Sequence, residues 1–174
     1  SCFGGNNGTI NLNVSGGTTP YSYNWGGGIT TPNRTGLASG TYIVTVTDAN
    51  ACTTTTSASI TQPAAAVTAS TTATPVSCFG GNNGTINLSV SGGTTPYSYN
   101  WTGGITTPNR TSLASGTYNV TVTDANACSV ITSATINQPV TLSASYTTGQ
   151  VSCNNGNNGT INLTVSGGTN PYSY

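Results

Sequence analysis

The chain of 174 residues has no lysine, no glutamate, no histidine and no methionine. Its full charges are Arg34, Arg110, Asp48 and Asp124, and they cancel. Each absence excludes a class of function. General acid–base catalysis and metal ligation draw on His, Asp, Glu, Lys and Cys, so no catalytic, cofactor-binding or metal-binding residues are expected. An enzyme is excluded for want of any base or nucleophile–base pair. Two arginines cannot neutralise a phosphate backbone, which removes nucleic acid from the partners. No apolar run approaches the ~18–20 residues that cross a bilayer, and no basic-then-apolar signal peptide opens the chain. The expectation is a window cut from a longer exported protein, with targeting segments elsewhere and no membrane insertion here.

Gly, Thr, Asn and Ser dominate what is present. Disorder pairs low hydrophobicity with high net charge, and the second condition fails here. Val, Ile, Leu, Tyr and Trp recur in period-two alternation, so the chain is expected to fold as strands.

Residues 1–52 and 77–128 align without a gap and differ at four positions: Asn13/Ser89, Gly26/Thr102, Gly36/Ser112 and Ile43/Asn119. A third copy opens at Ser152. A period of about 75 residues is too long for a solenoid rung and suits one small all-β domain. Ser59-Ile60-Thr61-Gln62-Pro63 closes one unit and Thr135-Ile136-Asn137-Gln138-Pro139 the next, because proline suits the point where a chain leaves a sheet. The resulting domains are 1–63, lacking its first strand; 64–139, complete; and 140–174, the N-terminal part of a third.

Within 64–139 the alternation predicts strands at Val67–Ala73, around Ile86-Leu88-Val90, at Tyr97-Tyr99-Trp101, at Tyr118-Val120-Val122 and at Val130–Asn137. Asn83-Gly84, Gly92-Gly93, Pro108-Asn109 and Asp124-Ala125-Asn126 are turn chemistry. Asn13/Ser89 and Ile43/Asn119 both fall on the solvent-facing phase. Tandem immunoglobulin-like antiparallel β-sandwich repeats are the fold this predicts. Tyr21, Tyr23, Trp25 and their counterparts Tyr97, Tyr99 and Trp101 are expected to fill the core. Leu113-Ala114-Ser115-Gly116-Thr117-Tyr118 fits a tyrosine corner, assigning that structural role to Tyr118 and Tyr42. Arg34 and Arg110 are placed on surface turns, paired with Asp48 and Asp124. Those aspartates read as turn formers, since one carboxylate per domain makes a poor calcium site.

The run Ser77-Cys78-Phe79-Gly80-Gly81-Asn82-Asn83-Gly84-Thr85-Ile86, then Ser91-Gly92-Gly93-Thr94-Thr95-Pro96-Tyr97-Ser98-Tyr99-Asn100-Trp101, then Val120-Thr121-Val122-Thr123-Asp124-Ala125-Asn126-Ala127-Cys128, closely resembles the SprB-type repeat of Bacteroidota cell-surface adhesins. The resemblance covers the whole chain in two near-complete copies and one partial copy. It implies a large repetitive protein displayed as a filament on the outer cell surface, exported by type IX secretion and, in gliding members, moved by the motility machinery.

Of five cysteines, Cys2/Cys52 and Cys78/Cys128 are each 50 apart and Cys153 is left over. Disulfides are the default in an exported chain, and bridged Cα atoms must lie within ~7 Å. The intradomain pairs Cys2–Cys52 and Cys78–Cys128 are preferred; the rival is an inter-domain staple from Cys2 to Cys128.

Two function classes follow. One is a structural or adhesive fibre whose partners are neighbouring repeats. The other is a glycan-binding module that stacks sugars on Tyr97, Tyr99 and Trp101. Ice binding through threonine faces fits poorly, because the period is a domain long. Sandwich edges lack protective charge, so either prolines and neighbouring domains cover them or they pair between identical chains in a filament. The sequence leaves both open.

Overall fold

The computed structural model describes residues 1–174. The chain is all-β, with no helix, and forms sandwich-like repeats built from small antiparallel sheets. Thirteen strands follow in order. Residues 1–63 hold β1 (Gly8–Ile10), β2 (Ser22–Asn24), β3 (Arg34–Leu37), β4 (Gly40–Thr47) and β5 (Thr53–Ile60). Residues 64–139 hold β6 (Thr68–Thr74), β7 (Gly84–Ser91), β8 (Ser98–Trp101), β9 (Arg110–Leu113), β10 (Gly116–Thr123) and β11 (Ser129–Ile136). The remainder holds β12 (Ser143–Gly149) and β13 (Thr160–Ser166).

The sheets repeat with the sequence. In the second copy β6-β7-β9 and β11-β10-β8 are each three strands wide. In the first copy the corresponding sheets are β1-β3, with two strands, and β2-β4-β5, with three. β4 pairs with β5 antiparallel from Gly40↔Ile60 to Thr47↔Thr53. Along β4, Val44 and Val46 are buried while Ile43 points to solvent; along β10, Val120 and Val122 are buried while Asn119 is exposed. Alternation on a pleated surface produces this division. It also explains why the Ile43/Asn119 difference is tolerated.

Contacts divide the chain into two compact units. The first comprises Ser1–Thr68, Val90–Ser98 and Val122–Val130. Its buried apolar residues are Ile10, Leu37, Val44, Val46, Val67 and Val122. The second comprises Ala69–Ser89, Tyr99–Thr121 and Ile131–Tyr174. Its core is Val76, Ile86, Trp101, Leu113, Val120, Ala134 and Ile136.

Near-identical segments fold to different extents. Gly84–Ser91 is strand throughout, whereas its counterpart 8–15 is strand only over Gly8–Ile10. β7 is flanked by β6 on one side and β9 on the other; β1 has β3 alone. The single Asn13/Ser89 difference is exposed in both copies. The missing neighbour, not the sequence, therefore accounts for the shorter strand.

Strand β9 was not expected. Arg110–Leu113 has no apolar alternation and reads as a continuation of the Pro108-Asn109 turn. It becomes a strand because β7 pairs with it, Gly84 opposite Leu113 and Ile86 opposite Arg110, across an irregular register.

Candidate functional site: the junction between copies

The chemistry of this chain concentrates around one turn. Asp124 is buried, with 5% of its surface exposed. Its Oδ1 accepts from the amides of Asn126 and Cys128, at 2.9 Å each, and its Oδ2 from the amide of Thr94 at 2.9 Å. Asp48 repeats the pattern with Asn50, Cys52 and Thr18 at 2.9, 2.8 and 3.0 Å. The turn-forming role expected of both aspartates thus has a geometry: each carboxylate gathers three backbone N–H groups and holds the following cysteine in place. Amide donation from Thr18, then Cys52 and Asn50, lowers the pKa of Asp48 against the opposing effect of burial. Burial raises that of Asp124, but the amides of Cys128, Thr94 and Asn126 and the positive N-terminus outweigh it, so its pKa too is lowered.

The arginines do not pair with these aspartates, correcting the sequence reading. The Arg34 guanidinium lies 5.6 Å from the Trp25 ring centroid and 5.1 Å from that of Tyr42. Arg110 lies 5.7 Å from Trp101 and 5.6 Å from Tyr118. Charge in a sequence suggests an ionic partner, but a guanidinium is weakly hydrated and also stacks on aromatic faces. Here the aspartate oxygens are already taken by backbone amides.

Four of the six tyrosine hydroxyls in the first two copies turn back to backbone carbonyls. Tyr118 donates to Ala114 at 3.0 Å and Tyr42 to Ala38 at 2.9 Å. Tyr97 donates to Gly92 at 2.6 Å, and Tyr21 to Gly16. The indole N–H groups of Trp25 and Trp101 donate to Thr31 and Thr107, each at 2.8 Å. Of the six aromatics assigned to the core, Trp101 alone is fully enclosed, at 1% exposure. Tyr21, Tyr23, Trp25, Tyr97 and Tyr99 are half-buried.

Beside the Asp124 turn the chain leaving the first copy is seated against the second. Gly93 N donates to Ala65 O at 2.9 Å. Gly92 approaches the Ala66 carbonyl so closely that a Cβ there would collide with it, and Val67 is 8% exposed. Gly92 has φ +71° and Gly93 +62°. This left-handed pair, with no side chains to intervene, lets the incoming backbone touch the turn.

The disulfide closes at the same place. Cys2 is bonded to Cys128, with Cα atoms 5.6 Å apart. Cys52, Cys78 and Cys153 are free and exposed. The preferred intradomain pairing is therefore overturned, and the rival staple is the one formed. Its cause is local. Gln62 Oε1 accepts from Gly4 N at 2.7 Å, tying the Cys2 turn to the segment that leads out of the first copy. That segment runs on to Ala65–Val67 and the Asp124 turn, so Cys2 arrives with it. The sequence carried one signal for this: Gln62 and Gln138 stand at equivalent points, and Gln138 likewise accepts from Gly80 N at 3.0 Å.

A family model described as the SprB repeat matches residues 1–30, 70–106 and 145–174, more than half of the chain. The chain belongs to the SprB-repeat family. SprB repeats are structural repeats of surface proteins rather than an enzyme family, which marks this chain as a cell-surface, adhesin-like repetitive segment. No curated protein matches it.

Proposed function

We propose that this SprB-repeat chain is a structural and adhesive segment of a filament outside a bacterial cell, and that it serves by giving reach and toughness. The observation that carries this reading is the Cys2–Cys128 bond, which joins one copy to the next. A covalent tie between successive copies has no use in catalysis and an evident one in a load-bearing fibre. The Tyr97 hydroxyl and the Trp101 indole N–H are turned to the backbone, at Gly92 and Thr107, and Trp101 is enclosed, which favours this role over a glycan-stacking platform. On this reading residues 64–139 form one complete repeat, Tyr42 and Tyr118 are tyrosine corners, and neighbouring repeats are the principal partners.

Immunogold labelling of unpermeabilised cells with an antibody raised against residues 77–128 tests the location. Label is expected in rows extending away from the cell envelope; label appearing only after permeabilisation would sink the proposal. A part in gliding is a narrower extension, drawn from the family alone. It predicts that deleting the gene slows spreading on agar while growth in liquid is unchanged.

A further inference from the structure

Each of the first two copies carries one arginine, and the fold gives it rings but no anion. Arg110 opens β9, and its guanidinium lies over two rings supplied by other strands. These are Trp101 at the end of β8, 5.7 Å to the centroid, and Tyr118 on β10, at 5.6 Å. Its Nη1 is buried with no hydrogen-bond partner. The residue as a whole is half-buried, so one flank of the side chain stays open to solvent. Arg34 repeats the placement at the start of β3, over Trp25 and Tyr42. The first copy lacks a strand equivalent to β6 and the second has it, so the arrangement does not depend on that strand.

A guanidinium held this firmly is ordinarily matched by a carboxylate. The only side-chain carboxylates here, Asp48 and Asp124, each accept three backbone amides instead. The positive charge is therefore uncompensated where it sits. If packing against the rings were its whole role, a methionine would fill the place without burying an unpaired donor. Apolar rings beside the charge also lower the local dielectric, which strengthens its attraction for an arriving anion. Trp101 is enclosed and offers no face to a sugar. What the site does offer is the N–H edge of a fixed fork, whose geometry suits the two oxygens of a carboxylate.

We propose that Arg34 and Arg110 are anion sites, one in each copy, that hold carboxylates of an acidic polysaccharide outside the cell. The carboxylate oxygens accept from the open N–H edge of the guanidinium while the rings keep that edge in place. A single pair of this kind is weak in water and screened by salt. A uronic-acid polymer carries a carboxylate on every sugar and can occupy the sites of several repeats at once, so avidity makes up what one pair lacks. The proposal rests on the adhesive reading above and names its ligand class. It is tested on purified chain, so it can fail while surface labelling succeeds, and the reverse.

Binding of purified chain to immobilised polygalacturonate is expected at about 0.01 M ionic strength and is expected to vanish at about 1 M, where the Debye length is about 3 Å. Fully methyl-esterified polygalacturonate, the same backbone without its charge, is expected not to bind. Arg34→Met and Arg110→Met keep the packing against the rings and remove the charge. Each is expected to weaken binding about threefold or more, and the double variant to abolish it with its circular dichroism unchanged. Phenylglyoxal labelling locates the contact in the unaltered chain: polygalacturonate is expected to slow modification of both arginines, read by mass spectrometry, and the esterified polymer to leave it unchanged. If the double variant does not fold, this protection decides in its place. Equal binding of the esterified polymer, full binding by a folded double variant, unprotected arginines, tighter binding to double-stranded DNA, or no binding at all would each overturn the proposal.

Discussion

At the scale of single residues, backbone conformation and buried carboxylates decide the outcome of substitution. Ser112 has φ +57°, in the region that penalises a side chain, and its counterpart Gly36 has φ +67°. A non-glycine residue there costs about 1–2 kcal/mol, offset in part by the unfolded-state freedom that glycine adds, about 0.5–1 kcal/mol. Ser112→Gly is therefore expected to stabilise by about 0.5–1 kcal/mol net, and Gly36→Ser to destabilise comparably, read from urea midpoints. Asp124 gives a pH signature. Its folded pKa lies below the unfolded value, so the stability it contributes is complete above about pH 4 and is lost as pH falls through the lowered folded pKa. Thermal melts are expected to fall below pH 4 in the wild type. In Asp124→Asn the melting temperature starts lower at pH 7, and the drop on acidification is smaller.

At the scale of elements, the same residue is buried to different extents in the two copies. Trp101 is enclosed and Trp25 only half-buried, though both sit in near-identical sequence. Trp101→Ala is expected to cost about 3–5 kcal/mol, and Trp25→Ala roughly half as much, since less apolar area leaves water on folding. Hydrogen exchange at the Val120 and Val44 amides reports the two losses separately. These elements also show how far the sequence could be read. β7, β10 and β11 follow from alternation, because each buries every second side chain. β9 does not, because its residues become a strand only through pairing with β7. The shortness of β1 was hidden for the same reason: whether 11–15 joins a ladder depends on a strand beside it, not on its own residues. The cation–π stacks of Arg34 and Arg110 escaped because spacing along the chain says nothing about which ring a guanidinium covers. The Asp48 and Asp124 turns were legible, since aspartate followed by Ala-Asn already implies a carboxylate that captures local amides.

At the scale of the whole molecule, the disulfide sets how the chain answers force. Cys2 and Cys128 are separated by 126 residues, so the bond closes a loop over most of two copies. In the chain-entropy model a loop of that size stabilises the folded chain by about 5 kcal/mol. When the termini are pulled, tension passes through the sulfurs, and residues 3–127 bear none of it while the bond holds. Pulling single molecules in oxidising buffer is expected to release only the contour outside the loop, chiefly residues 129–174. Adding a thiol reductant, or substituting Cys2→Ser, is expected to lengthen the fully unfolded chain by about 400 Å at ~3.3–3.6 Å per residue. Cys52→Ser leaves the length unchanged, because that thiol closes no loop within the chain. Equal lengths with and without reductant would mean that the staple does not carry the load, and the fibre would then depend on sheet packing alone.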